Sequence, residues 1–275
     1  MSTSAPSSGS KRTRRPPKYI ALFTLLFETA QPQDDARLDA MQALRTAHDR
    51  AAPRWAPHIT LVPPFVVRFE HDNSDADRIP RRGDAGASRG GDESPQSSYT
   101  SLHLQRPPGA HKDDYRLAQE ARTALPKGLQ RVLSALETDV EKEIGAIQAG
   151  SAVHLDEVGF FPLRAYHTIH FRPSKPPAAL QELQGALAAV VEKSGCREIE
   201  GGKRAKPKDS FSPHLTLGQS TTAEEKADIF QQARAILRDG PLASNLARCQ
   251  LMFKPQAQGG PYRVWREFNL EKDAS

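Results

Sequence analysis

Short apolar runs and helical repeats of apolar residues alternate along the first part of this chain. Residues 19–27 are almost entirely apolar and lie between prolines, which predicts a buried strand. The acidic pair Asp34-Asp35 then favours the start of a helix that ends before Pro53. A second strand is predicted over residues 57–67, interrupted by Pro63-Pro64. The chain therefore begins with strand, helix and strand.

The same order of elements returns in the second half of the chain. Residues 166–171 alternate like a strand, Pro176-Pro177 introduces a helix that Gly195 ends, and a strand follows around residues 213–217. The remaining predicted elements are a helix over residues 117–147 broken near Pro126, a strand over 153–161, a helix over 222–237 and a hairpin of 247–254 with 262–270. One face of the helix near residue 130 carries Leu129, Val132, Leu133, Leu136, Val140, Ile144 and Ile147.

This repeated order predicts the fold class. We expect an α+β protein that is bilobal, with two pseudo-symmetric α/β lobes whose antiparallel sheets surround a central groove. Equivalent lobes would place their equivalent strands on either side of that groove. The repeat favours this docking, although the sequence alone does not require it.

A pentapeptide marks the second strand of each half. Pro57-His58-Ile59-Thr60-Leu61 returns as Pro213-His214-Leu215-Thr216-Leu217, with four of five positions identical. Side chains alternate between the two faces of a strand, so each copy presents a histidine and a threonine on one face and two apolar anchors on the other. Two such pairs facing each other would form a site with two titratable groups and two hydroxyl donors.

The composition predicts that part of the 275-residue chain lies outside the core. Only 37% of the residues are hydrophobic, and residues 81–98 contain no large apolar side chain. We therefore expect a single bilobal domain over residues 18–271, with a disordered insertion at 71–114. Residues 1–17 are predicted to form a disordered basic tail, whose Ser-rich and basic composition also suits a nuclear or mitochondrial address.

Charge and cysteine content indicate which ligands and which cellular compartment suit the protein. The net charge of +5, from 38 Lys+Arg and 33 Asp+Glu, is a mild basic bias that is compatible with a phosphate-bearing ligand. Cys196 and Cys249 form neither a disulfide framework nor a zinc-binding spacing. The cysteines favour an intracellular, reducing compartment, and no apolar run reaches membrane-spanning length, nor does the N-terminus resemble a secretory signal. We expect an intracellular monomer without membrane contact. The cytoplasm or the nucleus is favoured, and a mitochondrial location stays open.

The two histidines suggest acid–base chemistry. Histidine titrates nearest to neutrality, so one imidazole can take a proton while a second gives one at the same reacting centre. Cleavage of a phosphodiester without a metal needs this pair, together with donors such as Thr60 and Thr216 for the phosphoryl oxygens. A metal site is the alternative, but zinc needs three or four ligands, and His154, His167 and His170 are predicted on other strands. We therefore do not expect a metal site.

The duplicated His-x-Thr strand, preceded in the second copy by Phe211-Ser212-Pro213, resembles the two-histidine phosphoesterase superfamily, which includes 2'-5' RNA ligases and cyclic phosphodiesterases. The resemblance implies catalysis by His58, His214, Thr60 and Thr216. Its implied partner is an RNA end or nucleotide with a 2',3'-cyclic phosphate or a 2'-5' linkage, which is opened to a 2'-phosphomonoester or, in reverse, joined. It implies no metal or nucleotide cofactor.

Several assignments within this resemblance stay open. His214 is assigned as general base and His58 as general acid, although the two could exchange roles. The aromatic side chains of Phe160, Phe161 or Tyr166 are candidates for stacking on a base, or else belong to the core. The basic cluster at residues 203–208 either guides an RNA backbone or is a solvated loop. The alternative function is a non-catalytic nucleotide- or RNA-binding module on the same fold.

Overall fold

The computed structural model of the chain describes residues 18–28, 34–69, 122–145, 147, 151–198, 211–256 and 262–270. The predicted tail, the predicted insertion at 71–114 and the basic cluster at 203–208 lie outside these residues. The strands within them are β1 (Tyr19–Leu26), β2 (His58–Val67), β3 (Ala152–Leu155), β4 (Glu157–Pro162), β5 (His167–Arg172), β6 (Arg197–Glu198), β7 (Leu215–Ser220), β8 (Leu242–Asn245), β9 (Arg248–Pro255) and β10 (Arg263–Asn269). The α-helices are α1 (Asp35–His48), α2 (Lys127–Ile144), α3 (Ala178–Lys193) and α4 (Ala223–Ile236).

The main sheet is antiparallel and has the order β10-β9-β1-β2-β7-β5-β4, with β6 added to β2. A separate two-stranded sheet joins β3 to β8. At the centre of the main sheet, β2 pairs with β7 through Ile59 and Leu215. The prediction of an α+β fold with antiparallel sheets is confirmed, while the central groove between two lobes stays a prediction.

The repeated order of elements is visible in the sheet. The first unit is β1-α1-β2 and the second is β5-α3-β7, and in each the two strands are antiparallel neighbours. In the sheet, β1 and β5 flank the β2–β7 pair on its two sides, so the two units meet at this pair. The two copies of the pentapeptide are therefore neighbours in the middle of one sheet.

The helices exchange partners between the two units. Helix α1 of the first unit packs against β7 of the second, and α3 packs against β2. The contact of α1 is so close at Gly218 that a Cβ atom there would lie 2.6 Å from the Cβ of His48. The apolar residues of both units accordingly form a single buried cluster. No helix in the described ranges is long and apolar enough to cross a membrane.

Local sequence signals account for the helix ends. Helices α2 and α3 begin directly after Pro126 and Pro177, and α3 is followed by Gly195 with a φ of 71°, the left-handed conformation that glycine tolerates. At the start of α4 the Thr222 hydroxyl accepts a hydrogen bond from the backbone of Glu225. Most of the predicted apolar face of α2 is buried, namely Leu129, Leu133, Leu136, Val140 and Ile144.

Two strand predictions need correction. Residues 153–161 form two strands rather than one, since β3 and β4 belong to different sheets and separate at Asp156. The Asp156 carboxylate accepts a hydrogen bond from the backbone of Ser174, which fixes this junction. Strand β2 continues through Pro63-Pro64, because a bulge opposite Leu22 removes the need for backbone donors there.

Candidate active site

The two His-x-Thr strands lie side by side. Ile59 pairs with Leu215 in antiparallel register, so His58 lies beside Thr216 and Thr60 beside His214. Ile59 and Leu215 are fully buried on the face that packs against the helices. The two histidines and two threonines, which alternate with them, share the opposite face and are half-buried. The structure thus brings the four predicted site residues together.

Each histidine of the pair is held by the carbonyl two residues before it. The Nδ1 atom of His58 lies 2.8 Å from the oxygen of Ala56, and that of His214 lies 2.9 Å from the oxygen of Ser212. A carbonyl can only accept, so Nδ1 carries the hydrogen in both rings. In the neutral form each Nε2 therefore carries a lone pair and no hydrogen, and in the charged form it is a donor. In both rings Nε2 is therefore the nitrogen that can accept or donate a proton.

An aromatic side chain packs on His58, and a second one packs on the first. The indole of Trp55 stacks on the His58 ring, with centroids 4.7 Å apart and planes 26° apart. The ring of Tyr262 lies 5.1 Å from Trp55, and the Lys254 ammonium lies 4.6 Å from the centre of the Tyr262 ring. Nothing in the sequence indicated that Trp55 belongs to the site. It lies in the turn before β2, so the alternation of side chains along the strand does not predict its contact with His58.

A buried ion pair supports this turn. The side chains of Arg45 and Asp49 are both almost inaccessible and lie 3.4 Å apart, and Arg45 also donates to the carbonyl of Trp55. Burial lowers the pKa of His58 from its ordinary value of 6.5 to about 4. Arg45 and His214 lower this pKa further, while the Ala56 carbonyl and Asp49 oppose the shift. His58 is therefore neutral at pH 7, and His214 is close enough to influence it.

The surroundings of His214 are different. Its ring lies 4.8 Å from Phe161, in an edge-on arrangement, and 5.1 Å from the ring of His170. The sequence placed His170 on a strand without assigning it a role. Pairing of β5 with β7 sets His170 directly opposite Thr216, which could not be read from the chain before the sheet order was known.

The other residues considered from the sequence fall into two groups. Phe161 lies at the site, whereas Phe160 points to the opposite face and contacts Phe230 on α4. His167 contacts Phe160 and so belongs to that face as well.

Among the described residues, no three His, Cys, Asp or Glu side chains form a group that could hold a metal ion. Cys196 and Cys249 are both buried and unpaired.

Part of the chain matches the model of a known protein family. Residues 118–247 match the family model described as the 2'-5' RNA ligase superfamily, a range that includes β5 and the second motif. The match confirms the resemblance to the two-histidine phosphoesterase superfamily. The first motif, with His58, lies before the matched range. No curated protein matches the sequence significantly.

The solved structures to which this chain is similar are distant in sequence. A structure described as a phosphoesterase is 15% identical with a TM-score of 0.43, and the alignment covers 94% of this chain and 100% of that chain. LigT of E. coli complexed with 3'-AMP gives the same four values. LigT of E. coli complexed with phosphate is 13% identical with a TM-score of 0.43, over 92% of this chain and 98% of that chain.

Proposed function

We propose that this chain, a relative of the 2'-5' RNA ligase superfamily, is a metal-independent phosphoesterase. It opens 2',3'-cyclic phosphates of RNA ends or nucleotides to 2'-phosphomonoesters with water as the nucleophile, or joins RNA through a 2'-5' linkage when the 5'-hydroxyl of a second RNA takes the place of water. The observation that carries the proposal is the antiparallel register of β2 and β7, which sets two histidines and two threonines on one face of the sheet. Superfamily membership alone would not locate these side chains.

The lowered pKa of His58 favours it as the base in ring opening. At a pKa of about 4, only about one His58 ring in a thousand would carry the proton of a general acid at pH 7. The same ring is almost always ready to accept a proton through Nε2. This reverses the roles first assigned from the sequence, an exchange that the repeat allows, and leaves His214 as the acid.

The proposed step is an attack of water on the cyclic phosphate. His58 Nε2 takes a proton from water as the water oxygen forms a bond to phosphorus. The bond from phosphorus to the ribose 3' oxygen breaks, and the Nε2 proton of His214 passes to that oxygen. The hydroxyls of Thr60 and Thr216 donate to the non-bridging phosphoryl oxygens, where negative charge increases in the transition state. The product is the 2'-phosphomonoester.

The test uses the full chain with EDTA and nucleoside 2',3'-cyclic phosphates, with the product position read by NMR. Each of His58→Ala and His214→Ala is expected to lower kcat by about 100-fold or more, since each removes one proton-transfer group. His154→Ala is the matched control, because its side chain is exposed on β3. Full activity in either site variant, or activity that needs a metal, contradicts the proposal.

The pH profile tests the direction of proton transfer. With His58 as base, kcat/KM is expected to fall on the acid side only near pH 4, rather than near the ordinary histidine value. An acid limb near pH 6.5 that His58→Ala abolishes would contradict this role. Nucleotide binding that survives both histidine substitutions without any turnover would instead indicate a non-catalytic binding module.

A further inference from the structure

A third histidine lies beside the proposed catalytic pair. His170 on β5 is the register partner of Thr216, so its side chain is on the same face of the sheet as His214. The His170 ring lies 5.1 Å from the His214 ring at an angle of 60°. Phe161 stacks on His170 at 4.2 Å and meets His214 edge-on at 4.8 Å. These three rings, called here the ring cluster, contact one another pairwise.

The His170 ring is enclosed rather than presented to a ligand. The residue is 1% exposed, and its Nε2 has no hydrogen-bond partner in the described part of the chain. Next to it on β4 is Gly159, where a Cβ atom would lie 2.7 Å from that Nε2. The absent side chain of Gly159 leaves the space that the imidazole fills. His170 is therefore packed against the ring of Phe161 and against the backbone at Gly159, both on β4, and it is shielded from solvent.

The equivalent position beside the first motif is filled differently. Thr24 on β1 pairs with Thr60 as His170 pairs with Thr216, and it is equally buried. Its hydroxyl lies 3.8 Å from the sulfur of Met252. His58 rests on the indole of Trp55 instead, which comes from a turn. Among the described residues, the first half of the repeat therefore has no counterpart of the ring cluster.

We propose that His170 is a positioning residue for His214. The ring cluster holds the His214 imidazole edge-on, so that Nδ1 keeps its hydrogen bond to the Ser212 carbonyl. The orientation of Nε2 is then fixed on the sheet face that carries the two histidines and two threonines. This inference rests on the proposed function, because it assigns a purpose to a fixed Nε2. An imidazole free to turn would lose the Nδ1 bond and present either nitrogen to the reacting phosphate.

The first measurement is the tautomer of His214, read from the ¹⁵N shifts of its ring in the full chain at neutral pH. The wild type is expected to show the Nδ1–H form of any neutral His214 ring. His170→Ala and His170→Gln, which remove the ring, are expected to give mixed tautomers or exchange-broadened signals. His170→Phe keeps an aromatic ring and is expected to restore the wild-type pattern wherever it folds. Wild-type tautomer signals in both His170→Ala and His170→Gln would overturn the proposal.

The second measurement is turnover per folded molecule. His170→Ala is expected to lower kcat by about 10-fold to 100-fold with KM within about 2-fold, since positioning rather than binding is lost. Ile169→Ala is the matched control, because Ile169 is the buried neighbour on the same strand and faces the helices. It should lose stability while keeping the tautomer and kcat. Equal effects of both variants on tautomer and kcat would overturn the proposal.

The two measurements separate this inference from the proposed function. If the wild type turns over no cyclic phosphate, the proposed reaction fails, yet the tautomer of His214 still shows whether His170 fixes the ring. If the wild type is active and His170→Ala retains both kcat and the tautomer, the reaction stands and the positioning role is refuted.

Discussion

Acid sensitivity of the fold provides a direct test of how His170 is buried. Burial, assisted by the nearby charge of His214 and by Arg172, lowers the pKa of His170 from 6.5 to about 4, while the Thr168 carbonyl opposes the shift. The unfolded chain therefore binds a proton at this residue at a higher pH than the folded chain does. Folding stability from the neutral ring is complete above pH 6.5 and is lost as the pH falls through the window towards 4.

The size of this effect follows from the two pKa values. The full difference between 6.5 and about 4 corresponds to about 3 kcal/mol, at about 1.4 kcal/mol for each pKa unit. At pH 4.5 the unfolded ring is almost fully protonated while most folded rings are neutral, so about 2 kcal/mol should already be lost. Since the side chain is 1% exposed, solvent screening requires no large discount.

The assay is urea unfolding of wild type and His170→Gln at pH 7 and pH 4.5. Glutamine has a similar volume and does not titrate, so the variant should lose about 2 kcal/mol less than the wild type between the two pH values. His154→Gln is the control, as the same substitution then removes an exposed imidazole and should not reproduce the effect of His170→Gln. An identical pH dependence in wild type and His170→Gln would refute the reasoning.

Two further predictions concern packing and are measured by urea unfolding at pH 7. Gly218→Ala should destabilise the fold by about 1–3 kcal/mol, since its Cβ would lie 2.6 Å from that of His48, whereas Gly185→Ala, with no atom within 4 Å, should stabilise helix α3 by about 0.5–1 kcal/mol. Equal effects of the two glycine variants would contradict this. Arg45→Met should cost about 3–5 kcal/mol, because it leaves the buried Asp49 carboxylate without its ion-pair partner, and a loss below about 1 kcal/mol would show that the pair is not buried in solution.

Much of the fold follows from local patterns in the sequence. The alternation in each pentapeptide predicted that Ile59 and Leu215 would be buried and that His58 and His214 would leave on the other face, as the structure shows. The amphipathic face of α2 was equally clear, since five of its predicted positions are buried. These predictions succeed because the buried face of a helix or strand can be read from the periodicity of its own residues, without knowledge of distant segments.

The features missed by the sequence depend on contacts between distant segments. Phe161 was a candidate from the sequence, but its contact with His170 and His214 was not foreseen, because the order of the whole sheet decides which strands are neighbours. The split of β3 from β4 at Asp156 depends on β8, which lies about 90 residues further along the chain. A single sequence records no such pairing, so side chains that meet only through sheet order had no visible signal.

The exchange of helices between the two units bears on how the site keeps its geometry. Because α1 packs on β7 and α3 packs on β2, neither His-x-Thr strand is supported solely by its own unit. A displacement of one unit would therefore disturb the helix packing of the other, beyond the single residue pair that joins β2 to β7. We infer that the shared packing, rather than the few backbone bonds between these strands, keeps the two histidines in register.

The repeat is symmetric in its backbone but not in its side chains, and this difference bears on the reaction. Each half supplies a histidine and a threonine, yet His58 has Trp55 and a buried ion pair beside it, whereas His214 has Phe161 and His170. Identical surroundings would give two histidines the same affinity for protons, and neither would then be preferred as base or acid. Because catalysis needs one of each, we infer that the residues outside the pentapeptide, rather than the motif itself, decide the direction in which the proton moves.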